Sequence, residues 1–198
     1  MNEIEQTMAD IPGPNVRYTL VKTVVMVGMM GAGKTAVGRA LAQRLGVAFL
    51  DSDAEIEVAA NRSVPEIFER DGEAFFRSRE TQIIERLLIE KRCILSTGGG
   101  AFLSEKNRTN ISAQGISVWL NVDIELLWSR VRSKDTRPLL RTDDPRTTLK
   151  NLYDQRVPIY SLADLTVGSA PECSIEDMVD QVIDALIARD DILEVHNA

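Results

Sequence analysis

Short apolar runs alternate with helical patterns along this chain, the signature of strand–helix–strand units around a parallel sheet. Five runs read as strands: VVMV (24–27), VAFL (47–50), CILST (93–97), ISVWLNV (116–122) and DLTV (164–167). After the first, Val37, Ala40, Leu41 and Leu45 share one helical face, and Gly46 follows as a helix-ending glycine. Asp53 stands where it can cap a helix through Ala60, and Ser63-Val-Pro-Glu66 is a capping box that opens a short helix around Ile67 and Phe68. A longer helix is predicted from about Gly72 to Lys91. Asp123 can cap a helix bearing Leu126, Leu127 and Arg130, and Asp144-Pro145 starts another through Tyr153. The last helix opens at Ser174-Ile-Glu-Asp177 and turns Met178, Val182, Ile183 and Leu186 toward a core. The pattern predicts one α/β domain over residues 21–190, with 1–20 as a flexible N-terminal extension and 191–198 as a tail that frays.

Composition narrows the chemistry. With 198 residues and 44% apolar content the chain suits a single domain with a sizeable core. It has no apolar run long enough to span a bilayer, and its opening lacks the basic start and apolar middle of a secretory signal, so a cytoplasmic protein without a membrane partner is expected. No exposed apolar stripe is evident, which makes a monomer the expectation. Cys93 and Cys173 lack metal-ligand spacing and read as thiols. The single histidine, His196, lies two residues from the end, so acid–base chemistry has to come from other side chains. A net charge of −7 argues against a nucleic-acid binder. One segment, from Arg130 to Arg146, nonetheless carries six cations against three acids; it is either a solvated charge run or a device for anions.

Gly28-Met-Met-Gly31-Ala-Gly33-Lys34-Thr35 fits G-x-x-x-x-G-K-[ST], with a strand before it and a helix after it. Side chains on such a loop would keep backbone N–H groups from converging on phosphate oxygens, and the helix N-terminus adds a favourable dipole. Lys34 supplies a point charge to the β- and γ-phosphates of a nucleoside triphosphate, and the Thr35 hydroxyl is placed for Mg²⁺. The nucleotide-binding run is thus Gly31, Ala32, Gly33, Lys34, Thr35 and Ala36.

An acceptor would sit at the carboxyl ends of the strands. There Asp51-Ser-Asp53 follows the second strand, its carboxylates either helix cap and turn or groups that hold Mg²⁺ waters and orient an attacking hydroxyl. Gly98-Gly99-Gly100 follows the third, as a turn or as amides open to a ligand, and two glycines would suffice for a turn. Arg77 and Glu80 pair at i, i+3 beside Phe76, and Arg137-Pro-Leu-Leu140 lies in a stretch without strong periodicity that reads as a lid over phosphates, about residues 132–145. With Arg156 added, the chain offers several arginines and no histidine near the site, which suits an anionic acceptor.

These residues resemble the shikimate kinase family. The likeness is carried by Arg77-x-x-Glu80-x-x-x-Ile84, the segment Ile94-Leu-Ser96-Thr-Gly98-Gly-Gly100-Ala-Phe102, the phosphate loop, the Asp51-Ser-Asp53 turn and Arg137-Pro-Leu-Leu140, over roughly residues 24–162. The resemblance implies a three-layer α/β/α phosphate-loop fold, a five-stranded parallel sheet in the order 2-3-1-4-5 and a mobile lid. It also implies Mg²⁺-dependent transfer of the ATP γ-phosphoryl group to the 3-hydroxyl of shikimate, on the route to chorismate and the aromatic amino acids. By the family's pattern Asp53, Arg77, Gly99 and Arg156 bind shikimate, Phe68 and Phe76 line its pocket, and Glu80 orients Arg77. Thr35 holds the metal with Asp51 nearby through water, Arg137 is the lid arginine and Arg130 lies against adenine. Lys34, Asp53 and Arg137 are the catalytic candidates, Asp53 as base. The sequence departs from the pattern at Gly168-Ser-Ala-Pro171-Glu-Cys173-Ser174, which lacks the arginine often found in the adenine loop. A gluconate-type kinase of the same fold and a phosphate-loop ATPase acting through a protein partner are the alternatives.

Overall fold

The computed structural model describes residues 16–133 and 138–197. In chain order its elements are β1 (Val16–Leu20), β2 (Thr23–Val27), α1 (Lys34–Leu45), β3 (Ala48–Asp51), α2 (Ser52–Ala60), α3 (Val64–Glu90), β4 (Cys93–Ser96), α4 (Glu105–Gln114), β5 (Gly115–Val122), α5 (Ile124–Val131), α6 (Pro145–Tyr160), β6 (Leu165–Ser169), α7 (Ile175–Ile187) and β7 (Leu193–Asn197). Five strands form a parallel sheet in the order β3-β4-β2-β5-β6. Counted within that sheet alone, this is 2-3-1-4-5, the order the resemblance implies.

The two central strands β2 and β4 are buried at every position. This is why their sequences are continuous apolar runs rather than alternating ones. Helices α1 and α7 pack on each other, α1 over β3 and β4 and α7 over β6, while α3 and α4 pack together and α4 lies on β5. Every strand of the parallel sheet therefore delivers its carboxyl end to one edge of the layers. There the loop after β2, the turn after β3 and the glycine run after β4 converge.

Four details differ from the expectations above. Val16–Leu20 and Leu193–Asn197, set aside as extension and tail, pair as an antiparallel ladder from Val16 opposite Asn197 to Leu20 opposite Leu193. Leu20, Ile192 and Leu193 are buried in the core, which ties both strands down. Glu105–Gln114 forms α4, a helix the apolar pattern does not announce because its buried contacts are only Asn107 and Ile111. Helix α6 continues past Tyr153, through Pro158 to Tyr160, since Leu149 and Tyr160 keep one face buried to its end. Finally, the cap of α2 is Asp51, not Asp53. The chain leaves β3 extended at Asp51, and its carboxylate accepts from the Asp53 and Ala54 amides at 3.0 and 3.4 Å. The predicted break between the two helices around Gly72 is present as a kink inside α3, where Gly72 has a φ of 83°.

Candidate active site

Six helices open on a side-chain cap: α2 on Asp51, α3 on Ser63, α4 on Ser104, α5 on Asp123, α6 on Asp144 and α7 on Ser174. Helix α1 opens on Gly33 with no side-chain cap. Its first amides face outward beside a positive dipole end, which is the condition for an anion site. Gly31 could not be another residue, because its φ is +81° and a Cβ there would lie 2.6 Å from the Val131 side chain. Lys34 folds back so that its ammonium donates to the Gly28 and Met29 carbonyls at 2.8 and 2.9 Å, fixing a positive charge over the loop.

A cavity of about 640 Å³ runs along this loop. Gly31, Ala32, Gly33, Lys34, Thr35 and Ala36 line it, together with Asp51, Asp53, Ser96, Thr97, Gly98, Gly99 and Arg130. Arg130 also donates to the Gly31 carbonyl at 3.3 Å. Ser169, Cys173, Ser174, Ile175 and Met178 also line the cavity. The sequence places Ser169, Cys173 and Ser174 in the segment that matches the adenine loop but assigns none of the five a role. The capping box at Ser174 is a further signal, since a helix start at the edge of a parallel sheet faces the same crevice.

Arg77, Glu80, Phe68, Phe76 and Arg156 are not part of that cavity lining; they join it through the glycine run. Gly98, Gly99 and Gly100 show no positive φ. Gly100 sits at φ −90°, which any residue can adopt. Their requirement is room. A Cβ on Gly98 would lie 2.8 Å from Asp53 Oδ1, one on Gly99 3.3 Å from Arg156 Nη1, and one on Gly100 2.5 Å from Arg77 Nη2. Each glycine admits one of the side chains expected to grip the acceptor, and an alanine at residue 100 would have to push the Arg77 guanidinium aside. This explains why the run is three residues long. It is held from below by Ser52 Oγ, which accepts from the Gly98 amide at 3.4 Å, and by Asn107, which donates to the Ala101 carbonyl at 2.8 Å.

The charged groups are coupled. Arg77 donates to Glu80 at 2.8 Å, and Glu80 is 1% exposed. Burial pulls the guanidinium pKa down, but Glu80 and Glu73 outweigh that and hold it above its ordinary value. Burial raises the Glu80 carboxyl, with Arg77 opposing. Such a pair adds little to net stability, but it fixes where the guanidinium points. The Arg77 guanidinium carbon lies 5.2 Å from the Phe76 ring centre, and Phe76 meets Phe68 at 4.6 Å between centroids. Asp53 is raised above the usual carboxylate range by burial and then by Asp51, with Lys34 and Arg77 opposing. Its Oδ1 is buried and has no hydrogen-bond partner, an acceptor waiting for a donor.

Among the described residues no three His, Cys, Asp or Glu side chains cluster as a metal cage. The oxygens that do face the loop, those of Thr35, Asp51 and Asp53, suit Mg²⁺, which keeps several waters and takes its remaining ligands from phosphates. Arg137 lies outside the described residues.

Comparison with known proteins agrees with this geometry. The family model described as shikimate kinase matches residues 30–187. A shikimate kinase of Ruegeria pomeroyi is 72% identical over 176 residues, 89% of this chain and 90% of that one. A shikimate kinase of Cereibacter sphaeroides is 59% identical across 92% of this chain and 91% of its own. Among solved structures, shikimate kinase from Acinetobacter baumannii in complex with shikimate superposes with a TM-score of 0.79 at 38% identity, covering 85% of this chain and 94% of that one. An uncapped phosphate loop, carboxylates beside it and a family match running through both halves of the site lead to one conclusion: this chain belongs to the shikimate kinase family of ATP- and Mg²⁺-dependent small-molecule kinases.

Proposed function

We propose that this chain transfers the γ-phosphoryl group of ATP to the 3-hydroxyl of shikimate, with the phosphate loop holding the donor and the residues around the glycine run holding the acceptor. The observation that carries the reading is the pairing of Gly98, Gly99 and Gly100 with Asp53, Arg156 and Arg77, which sets one carboxylate and two guanidiniums around one short loop. Two arginines match a carboxylate, and a carboxylate with an open oxygen matches a hydroxyl. The high identity to shikimate kinases supports the same choice over a gluconate-type kinase or a partner-driven ATPase.

Arg77 and Arg156 take the shikimate carboxylate, with Arg77 held in direction by Glu80, while Phe68 and Phe76 form the apolar wall. Asp53 accepts from the ring hydroxyls and orients the 3-hydroxyl for in-line attack, taking its proton early or late in the transfer. Lys34 neutralises charge on the transferring group, and the loop amides from Gly31 to Ala36 hold the phosphates. Thr35 directly and Asp51 through water would hold Mg²⁺, which when bound would further neutralise the phosphate oxygens. Arg130 lies on the nucleotide side of the cavity, and Arg137, outside the described residues, is the further cation that the family's pattern assigns to the phosphates. The kinase domain takes in β1 and β7 together with residues 21–190, since Leu20, Ile192 and Leu193 are buried in its core. We take the enzyme as a cytoplasmic monomer that uses neither nucleic acid nor membrane. No helix among the described residues is long and apolar enough to cross a bilayer.

Replacement of Arg77 tests the division of the site. Arg77→Ala removes a charge-assisted contact of about 1.5–3 kcal/mol, so the KM for shikimate rises roughly ten- to a hundredfold while the KM for ATP stays within about twofold. Steady-state kinetics with each substrate varied reads both numbers. An equal rise in the two would mean that Arg77 does not belong to the acceptor half.

A further inference from the structure

Tyr160, at the end of α6, is 0% exposed, and its hydroxyl donates to the Gly99 carbonyl at 2.5 Å. That carbonyl belongs to the middle of the glycine run. Arg156 lies one helical turn earlier on α6, so the two side chains share a face. They meet over the same Cα: a Cβ on Gly99 would be 3.3 Å from Arg156 Nη1 and 3.7 Å from the Tyr160 hydroxyl. The Tyr160 ring also faces Trp119 on β5, 6.3 Å between centroids. Trp119 in turn lies 3.4 Å from the place of a Cβ on Gly28, whose carbonyl accepts from Lys34. One buried phenol thus touches the helix that supplies an acceptor arginine, the loop that admits it, and the strand beside the phosphate loop. Burial raises its pKa with Arg156 opposing, so it remains a neutral donor near pH 7.

We infer that Tyr160 is a positioning residue for the acceptor, its hydroxyl holding Gly99 and Arg156 in register so that the guanidinium meets the substrate carboxylate without first being ordered. The inference rests on the assignment of Gly99 and Arg156 to shikimate. A tyrosine that merely fills the core would act through its ring, and phenylalanine supplies the same ring. A positioning tyrosine acts through its hydroxyl, on one substrate and not the other.

The test compares Tyr160→Phe, Arg156→Ala and the unaltered enzyme, varying shikimate and ATP separately and recording thermal unfolding. Calorimetric titration with shikimate gives the affinity independently of turnover. Tyr160→Phe is expected to raise the shikimate KM and Kd about fivefold or more, the worth of one buried hydrogen bond, with the ATP KM unchanged within twofold. Arg156→Ala is expected to raise them further. If Arg156→Ala weakens shikimate and Tyr160→Phe does not, whatever happens to the melting temperature, the positioning role is overturned and the acceptor assignment stands. If Arg156→Ala leaves shikimate affinity intact, the acceptor assignment falls and the inference falls with it.

Discussion

Lys34→Ala is expected to lower kcat by about a thousandfold while the protein stays folded. The ammonium is held at 2.8 and 2.9 Å by two carbonyls of its own loop, so it is in place before substrate arrives. A preorganised positive group aimed at charge that develops in the transition state is worth about 2.7–4 kcal/mol, or two to three powers of ten in rate. Phosphoryl transfer leaves the protein little to do except position groups and neutralise charge, so no other residue of the described loop can substitute. The ammonium is not part of the apolar core, and the melting temperature should move little. Steady-state kinetics and thermal unfolding check both halves. Activity within tenfold of normal would remove the lysine from the transfer step, and a large drop in melting temperature would make the loss a folding defect instead.

Asp53→Asn should lower kcat by about a hundred- to a thousandfold and at the same time raise stability at neutral pH. The loss follows if Asp53 accepts from the attacking hydroxyl, a role worth about 10²–10⁴. The gain follows from the carboxylate's surroundings. Burial and Asp51 raise its pKa above the ordinary 3.8, with Lys34 and Arg77 offsetting part of the effect. A carboxyl raised on folding favours the fold when protonated. That contribution is complete below the unfolded value and is lost as pH rises through the folded one. At pH 7 the ionised group therefore opposes folding, and its Oδ1 is buried without a partner. Asparagine removes the charge, so the variant's melting temperature should exceed the parent's at pH 7. The difference should close as pH falls toward 3.8. A variant that is less stable than its parent at pH 7 would show that Asp53 serves the fold. One as active as its parent would show that it does not serve the reaction.

The sheet and the phosphate loop were legible because their signals are local. Buried parallel strands read as short apolar runs such as Val24 to Val27, and the loop's glycines and lysine lie within eight residues. What escaped depends on partners far along the chain. The ladder of β1 and β7 pairs Thr19 with Glu194, and neither strand has an apolar run of its own to announce it. The sequence pointed to Asp53 as the cap of α2, but Asp53 lies inside that helix, and the backbone direction at the end of β3 gives the cap to Asp51. The glycine run could be seen but not explained. Its three partners come from α2, α3 and α6, so the need for space at each position appears only once those helices are packed together. Tyr160 was hidden for a related reason, because Pro158 argues for a helix end two residues before it.

The most direct measurement is ADP release from Mg-ATP by the purified protein, with shikimate, with gluconate and with no acceptor. The account predicts fast release with shikimate and near-background release in the other two, because the glycine run sets Asp53, Arg77 and Arg156 for a cyclic hydroxy-carboxylate beside the phosphate loop. Release that is indifferent to shikimate would contradict it.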